Sequence, residues 1–193
     1  MKILNNIQTT STYTLSLVTL MMLSPLVDAQ VCNKTQTPQT VSARNFIDPD
    51  TLTPITEGAP ASVKDVITGL IWNRCIYGQH WDADTQQCIG SPMLVTWSEA
   101  LSVAFDAGWR VPNIKELNSI LDLQCISPPF DLFIFPDTFA SEAHGLWTSS
   151  PHVPTPDPEN PITTTSAWYI DLSLGKMNYH EISSKNFVRF VKD

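Results

Sequence analysis

The stretch GWRVPNIKEL, Gly108–Leu117, decides how this chain folds. Gly108 can take the left-handed backbone that closes a helix. Pro112 pushes the residue before it toward extended geometry, so Trp109, Arg110 and Val111 do not continue that helix. Asn113 has the side chain of an N-cap, and Glu116 stands three residues on, the spacing at which two residues cap each other. The stretch therefore reads as the end of one helix, a short extended joint and the start of another. Arg110 is expected to pin the joint by pairing with a carboxylate such as Glu116.

Working outward, the upstream helix begins at Thr96, which has capping-box spacing to Glu99. Trp97, Ala100, Leu101, Ala104 and Phe105 recur at helical spacing and give it one apolar stripe. Downstream, Leu117, Ile120 and Leu121 supply the buried side of the second helix. Pro128, Pro129 and Pro136 then rule out a regular central element over Cys125–Phe139. The phenylalanines there, Phe130, Phe133, Phe135 and Phe139, are expected to pack a loop onto the core. A short strand is expected around Trp147, then a surface loop from Pro151 to Thr165.

A hairpin follows, Ala167–Leu172 and Lys176–Glu181, with its turn near Leu174-Gly175. Alternation along the first arm buries Trp168, Ile170 and Leu172 and exposes Tyr169 and Asp171. In the last strand Arg189 argues for Val188 and Phe190 as the buried set, and the lysines and Arg189 near the end read as a solvated strand face. Before the helices, Thr68-Gly69 marks a turn and Leu70-Ile71-Trp72 a strand. The fold class expected is α+β: two helices, antiparallel strands and long ordered loops.

The first 29 residues carry an apolar run, Leu15–Leu23, and small residues at Val27-Asp28-Ala29, as an export signal does. The expected organisation is a signal peptide over 1–29, an irregular arm over 30–62 with one short strand near Val41–Phe46, and a compact domain over 63–193. No later segment reads as transmembrane. The chain carries a net charge of −8, with or without the leader, and this excludes an extended nucleic-acid surface. The expected location is outside the cytoplasm: periplasm, cell surface or medium.

All four cysteines, Cys32, Cys75, Cys88 and Cys125, follow the leader, and an even count in an exported chain implies two disulfides among three connectivities. Cys75 and Cys88 flank a polar excursion that a bridge would staple, which leaves Cys32 to pair with Cys125. A zinc site lacks the paired spacing such sites use.

The chain has no nucleophile elbow, phosphate loop, zinc-protease helix or dinucleotide fingerprint. No cofactor is implied. Asp82 with Asp84, and Asp131 with Asp137, offer the oxygen ligands calcium takes, but without a recognised loop pattern they read as turn residues. His144, His152 and Asp157 fall near one loop region without a metal-ligand spacing. Six tryptophans is a high count, and most belong in the core. Trp81, in the polar excursion, is the best candidate for an exposed platform on which a sugar ring stacks. The candidate ligand-binding set is thus Trp81, Asp82, Asp84, Asp131, Asp137, His152 and Asp157.

The stretches TGLIWNRC, GQHWD, TWSEAL, GWRVPNIKELNSILD, LWTSSP, AWYIDLSLGKM and VRFVKD, in that order, resemble the Lcl C-terminal domain family over roughly Lys64–Lys192. The resemblance implies a C-type-lectin-like fold in exported bacterial proteins of adhesive type. It also implies glycan ligands, sulfated ones included, and no shared catalytic site. It marks Trp72, Trp97, Trp109, Arg110, Pro112, Glu116, Leu117, Trp147, Ser149, Ser150, Trp168 and Gly175 as fold-makers, and the Cys75–Cys88 pair as a common variant. The expected partner is a glycan or a surface protein, with an envelope or pilus component as the first rival role and a hydrolase or oxidase whose site assembles only in space as the second. The oligomeric state is left open.

Overall fold

The computed structural model describes residues 31–32, 46–55, 60–103, 108–136, 144–153 and 165–193. The expected leader, most of the 30–62 arm, and Ala104, Phe105, Asp137, Phe139 and Asp157 lie outside them.

In chain order the strands are β1 (Val31–Cys32), β2 (Phe46–Ile47), β3 (Ser62–Asp65), β4 (Ile71–Asn73), β5 (His80–Asp82) and β6 (Gln87–Ile89). Helices α1 (Trp97–Val103) and α2 (Ile114–Ser119) come next. They are followed by β7 (Cys125–Ile126), β8 (Gly145–His152), β9 (Ser166–Asp171), β10 (Met177–Glu181) and β11 (Val191–Lys192). The strands form a four-stranded sheet in the order β11-β4-β3-β2, a three-stranded sheet β10-β9-β8, and the two-stranded ribbons β1-β7 and β5-β6. Every pairing among them is antiparallel. This is an α+β fold of two helices and several antiparallel sheets.

The joint is built as its sequence demands. Gly108 has φ +78° with open space around it, so the backbone rather than packing calls for glycine. Arg110 bridges the chain terminus through reciprocal backbone bonds with Val191. Its guanidinium donates to both oxygens of Glu116, at 2.8 and 2.9 Å, and to Asp193 at 2.7 Å. Those bonds, with Glu116 first, raise the Arg110 pKa. All the amides that open α2 are satisfied. Ile114 N donates to Ser150 Oγ, Lys115 N and Glu116 N to Asn113 Oδ1, and Leu117 N to the Asn113 carbonyl. Glu116 completes the capping box by accepting from Asn113 N at 2.7 Å. α1 is capped the same way, with Thr96 N donating to Glu99 at 2.7 Å.

Two apolar clusters hold the layers together. One gathers Trp72, Leu117, Phe130, Phe135, Leu146 and Ile170. The other gathers Ala100, Val111, Trp147, Ala167 and Val188, with Trp97 and Trp109 packed against it. Two indole N–H groups tie strands to loops: Trp147 donates to the Val95 carbonyl and Trp97 to that of Thr148. Thr148 itself donates to the Trp168 carbonyl, and the Pro112 carbonyl accepts from Ser149 N. At Gly175 the backbone turns at φ +67°, and a Cβ there would sit 3.0 Å from Pro129.

The disulfides are Cys32–Cys125 and Cys75–Cys88. Two expectations about burial are corrected. Tyr169 is buried (6 % exposed) and Trp168 is only half-buried. β9 is the middle strand of its sheet and is covered on both faces, with Tyr169 packed on Trp147 and His180 and Ile170 in the other cluster. Alternation therefore no longer separates inside from outside. Arg189 is 0 % exposed, and both side-chain sets of that segment are buried. Its guanidinium donates to the Asn73 and Arg74 carbonyls at 2.8 and 2.6 Å and lies 4.3 Å from the Phe135 ring centre. Backbone acceptors replace the water that the charge would otherwise need. Burial pulls the Arg189 pKa down, and Arg74 adds to the effect.

Candidate functional site

The site is built from the excursion between Cys75 and Cys88. β5 and β6 pair with Trp81 opposite Cys88, and the disulfide anchors the ribbon's base to the end of β4. The turn at 83–86 is organised by Asp82, whose carboxylate accepts from Thr85 Oγ1 at 2.8 Å and from Asp84 N at 3.0 Å. These bonds, the Thr85 hydroxyl first, hold its pKa below the usual carboxylate range. Gln86 closes the turn at φ +55°, a backbone region that glycine or asparagine enters at lower cost.

The facing wall is the segment 130–136. Asp131 winds it: its carbonyl accepts from Ile134 N and Phe135 N, and its Oδ1 from Phe133 N at 2.9 Å. Arg74 (2 % exposed) clamps the wall to the ribbon. It donates to the Ile134 carbonyl at 2.8 Å, to Phe133 at 2.6 Å and to Pro60 at 3.4 Å, and its guanidinium lies 3.8 Å from the Trp81 ring centre. Burial pulls the Arg74 pKa down to about 10, with Asp131 opposing. Burial also raises the Asp131 pKa, against the backbone amides and Arg74 that favour its charged form. Asp131 Oδ2 and Trp81 Nε1 are enclosed and have no protein partner.

Between ribbon and wall lies a cleft of about 350 Å³. Asp84, Thr85, Gln86 and Gln87 line one side, Leu132, Phe133 and Pro136 the other, and Arg74 sits between them. Phe133 is 49 % exposed. The cleft therefore offers a hydroxyl, two neutral amides and a carboxylate across from a half-exposed phenylalanine.

The fold thus brings Trp81, Asp82, Asp84 and Asp131 into one neighbourhood, but in different roles. Trp81 is half-buried beneath Arg74, so it supports the ribbon rather than standing as a free platform. Asp82 is spent on its own turn, Asp131 lies inside the wall, and Asp84 lines the cleft. Sequence reasoning missed Arg74, Thr85, Gln86, Gln87 and Phe133. Only the polar pair Gln86-Gln87 in a short stapled turn could have signalled the place.

His152 lies on a second surface. Its ring stacks on Tyr179 at 4.0 Å, meets Trp168 edge-on at 5.0 Å, and its Nδ1 lies 2.9 Å from Ser166 Oγ. Tyr179 is 51 % exposed on β10, the edge strand of its sheet. That edge is blunted in part. The register turns the Met177, Tyr179 and Glu181 backbone groups outward. Asn178 Oδ1 accepts from Tyr179 N at 2.8 Å, and the Glu181 carbonyl accepts from Ser184 N at 2.9 Å. Among the described residues no three His, Cys, Asp or Glu side chains come together to hold a metal ion. Among them, too, no helix is long and apolar enough to cross a membrane.

The chain belongs to the Lcl C-terminal domain family, matching its sequence profile over residues 61–192. The architecture above is consistent with that family's C-type-lectin-like fold. The family is generally associated with bacterial surface and adhesion proteins. No curated protein and no solved structure matches the chain.

Proposed function

We propose that this member of the Lcl C-terminal domain family is an exported, adhesion-type binding domain that holds a glycan between the β5–β6 ribbon and the 130–136 wall. One observation carries the reading: the cleft sets the half-exposed Phe133 ring across from Thr85, Gln86, Gln87 and Asp84. A sugar ring needs an apolar face to stack on and neutral donors and acceptors for its hydroxyls, and this lining supplies both. The wall and turn are fixed by Arg74, Asp82, Asp131 and the disulfide, so little ordering remains to oppose binding. The left-handed Gln86 supports the reading, since a side chain is kept where glycine would be easier.

Export is supported by the apolar leader and by two disulfides, which persist outside the cytoplasm. The rival role, assembly by strand addition, is disfavoured at β10 because the outward Tyr179 amide and Glu181 carbonyl already have local partners.

The test is a glycan array probed with the oxidised protein after leader removal, together with Gln86→Gly and Phe133→Ala. Binding that falls at least tenfold in both variants, while Gln86→Gly melts at or above the parent temperature, is expected. Binding unchanged in both variants contradicts this site.

A further inference from the structure

Resting on that reading, we propose that the cleft selects uncharged sugars and rejects sulfated and carboxylated glycans. The charges on its walls decide this. Arg74 is the one cation among the lining residues, and it is committed elsewhere. Its Nε, Nη1 and Nη2 donate to three backbone carbonyls, its plane covers Trp81, and solvent reaches 2 % of it. With three of its five N–H donors spent and almost none of it open to solvent, the guanidinium is poorly placed for the bidentate grip that sulfate or carboxylate recognition uses. The charged group that does face outward is Asp84, an exposed carboxylate, and an anionic ligand would meet a like charge across the cleft.

The rest of the lining is neutral, and it matches neutral chemistry. A glutamine amide presents a donor and an acceptor side by side, as adjacent sugar hydroxyls require. Thr85 gives its proton to Asp82, so its oxygen remains as an acceptor. The net charge of −8 repels polyanions at longer range.

The experiment uses the oxidised protein on matched glycan pairs, N-acetyllactosamine oligosaccharides with and without 6-O-sulfate and sialic acid, at 20 and 300 mM salt. Neutral members should bind at least ten times more tightly than their charged partners. Their affinity should change less than twofold between the two salt concentrations. Asp84→Asn, a surface change, should narrow the gap by strengthening the charged members. A sulfated member that binds more tightly than its neutral partner, with affinity lost at high salt, overturns the selection while leaving glycan recognition standing. Silence toward every glycan, charged or neutral, overturns both. A gap unchanged in Asp84→Asn overturns the assignment of selectivity to this cleft.

Discussion

The joint at Gly108–Leu117 and the cleft between 75–88 and 130–136 are both short, irregular and rich in polar groups, yet they are finished differently. At the joint no side-chain polar group is enclosed without a partner: Asn113, Glu116, Arg110 and Ser150 close the start of α2, and Arg110 ties it to Asp193. Around the cleft, among the described residues, Trp81 Nε1 and Asp131 Oδ2 are enclosed without a protein partner. Orphaned buried groups lower stability, so the fold carries a cost beside the cleft that it does not carry at the joint.

That contrast can be broken from the largest effect downward. Replacing Cys75 and Cys88 together by serine frees the ribbon and should cost about 3 kcal/mol by the chain-entropy argument. Glycan binding should vanish with it, read by denaturant unfolding beside array binding. Retained binding would mean that the ribbon does not form the site.

Glu116→Ala removes the capping box and both Arg110 bonds, for a loss of about 2 kcal/mol. Here thermal unfolding should shift while affinity, measured well below the new melting point, stays within twofold. A selective loss of affinity would place the joint in the site.

Asp131 sharpens the comparison through pH. Its carboxyl is raised in the fold, so the folded chain takes up a proton before the unfolded one as pH falls. The penalty of its charge is therefore present above the raised folded value, and is relieved as pH drops through it toward 3.8. Asp131→Asn should gain most over the parent at pH 7 and least near pH 4 in paired melting curves. An advantage that grows toward acid would reverse the sign and contradict the burial account.

Gln86→Gly is the smallest change in stability, upward by no more than about 1 kcal/mol from relief of the left-handed side chain. Its value lies in the pairing of a firmer fold with weaker binding.

The two regions also differ in what the sequence shows. The joint was legible because its signals are local: a glycine, a proline and two capping pairs at fixed spacing. The Cys75–Cys88 bridge, the turn at Gly69 and the hairpin ending at Glu181 were legible for the same reason, and Cys32–Cys125 followed by elimination. The burial of Tyr169 was not, because covering both faces of β9 is a tertiary event that alternation along one strand cannot register. Arg189 misled for a related reason: its buried charge is made tolerable by carbonyls more than a hundred residues away in sequence. Trp81, Asp82, Asp84 and Asp131 of the candidate set fall around the cleft. Their division of labour depends on Arg74, which reaches carbonyls about sixty residues away in sequence. Phe133, one of four phenylalanines in its stretch, is singled out only by its exposure.

The most direct test is amide mapping by NMR on the oxidised protein, titrated with the tightest-binding neutral oligosaccharide from the array. Shifts confined to the backbone of Asp84–Gln87 and Leu132–Phe133, and to the Gln86 and Gln87 side-chain amides, are the predicted result. Shifts centred on His152, Trp168 and Tyr179, with the ribbon silent, would contradict the cleft as the place of recognition.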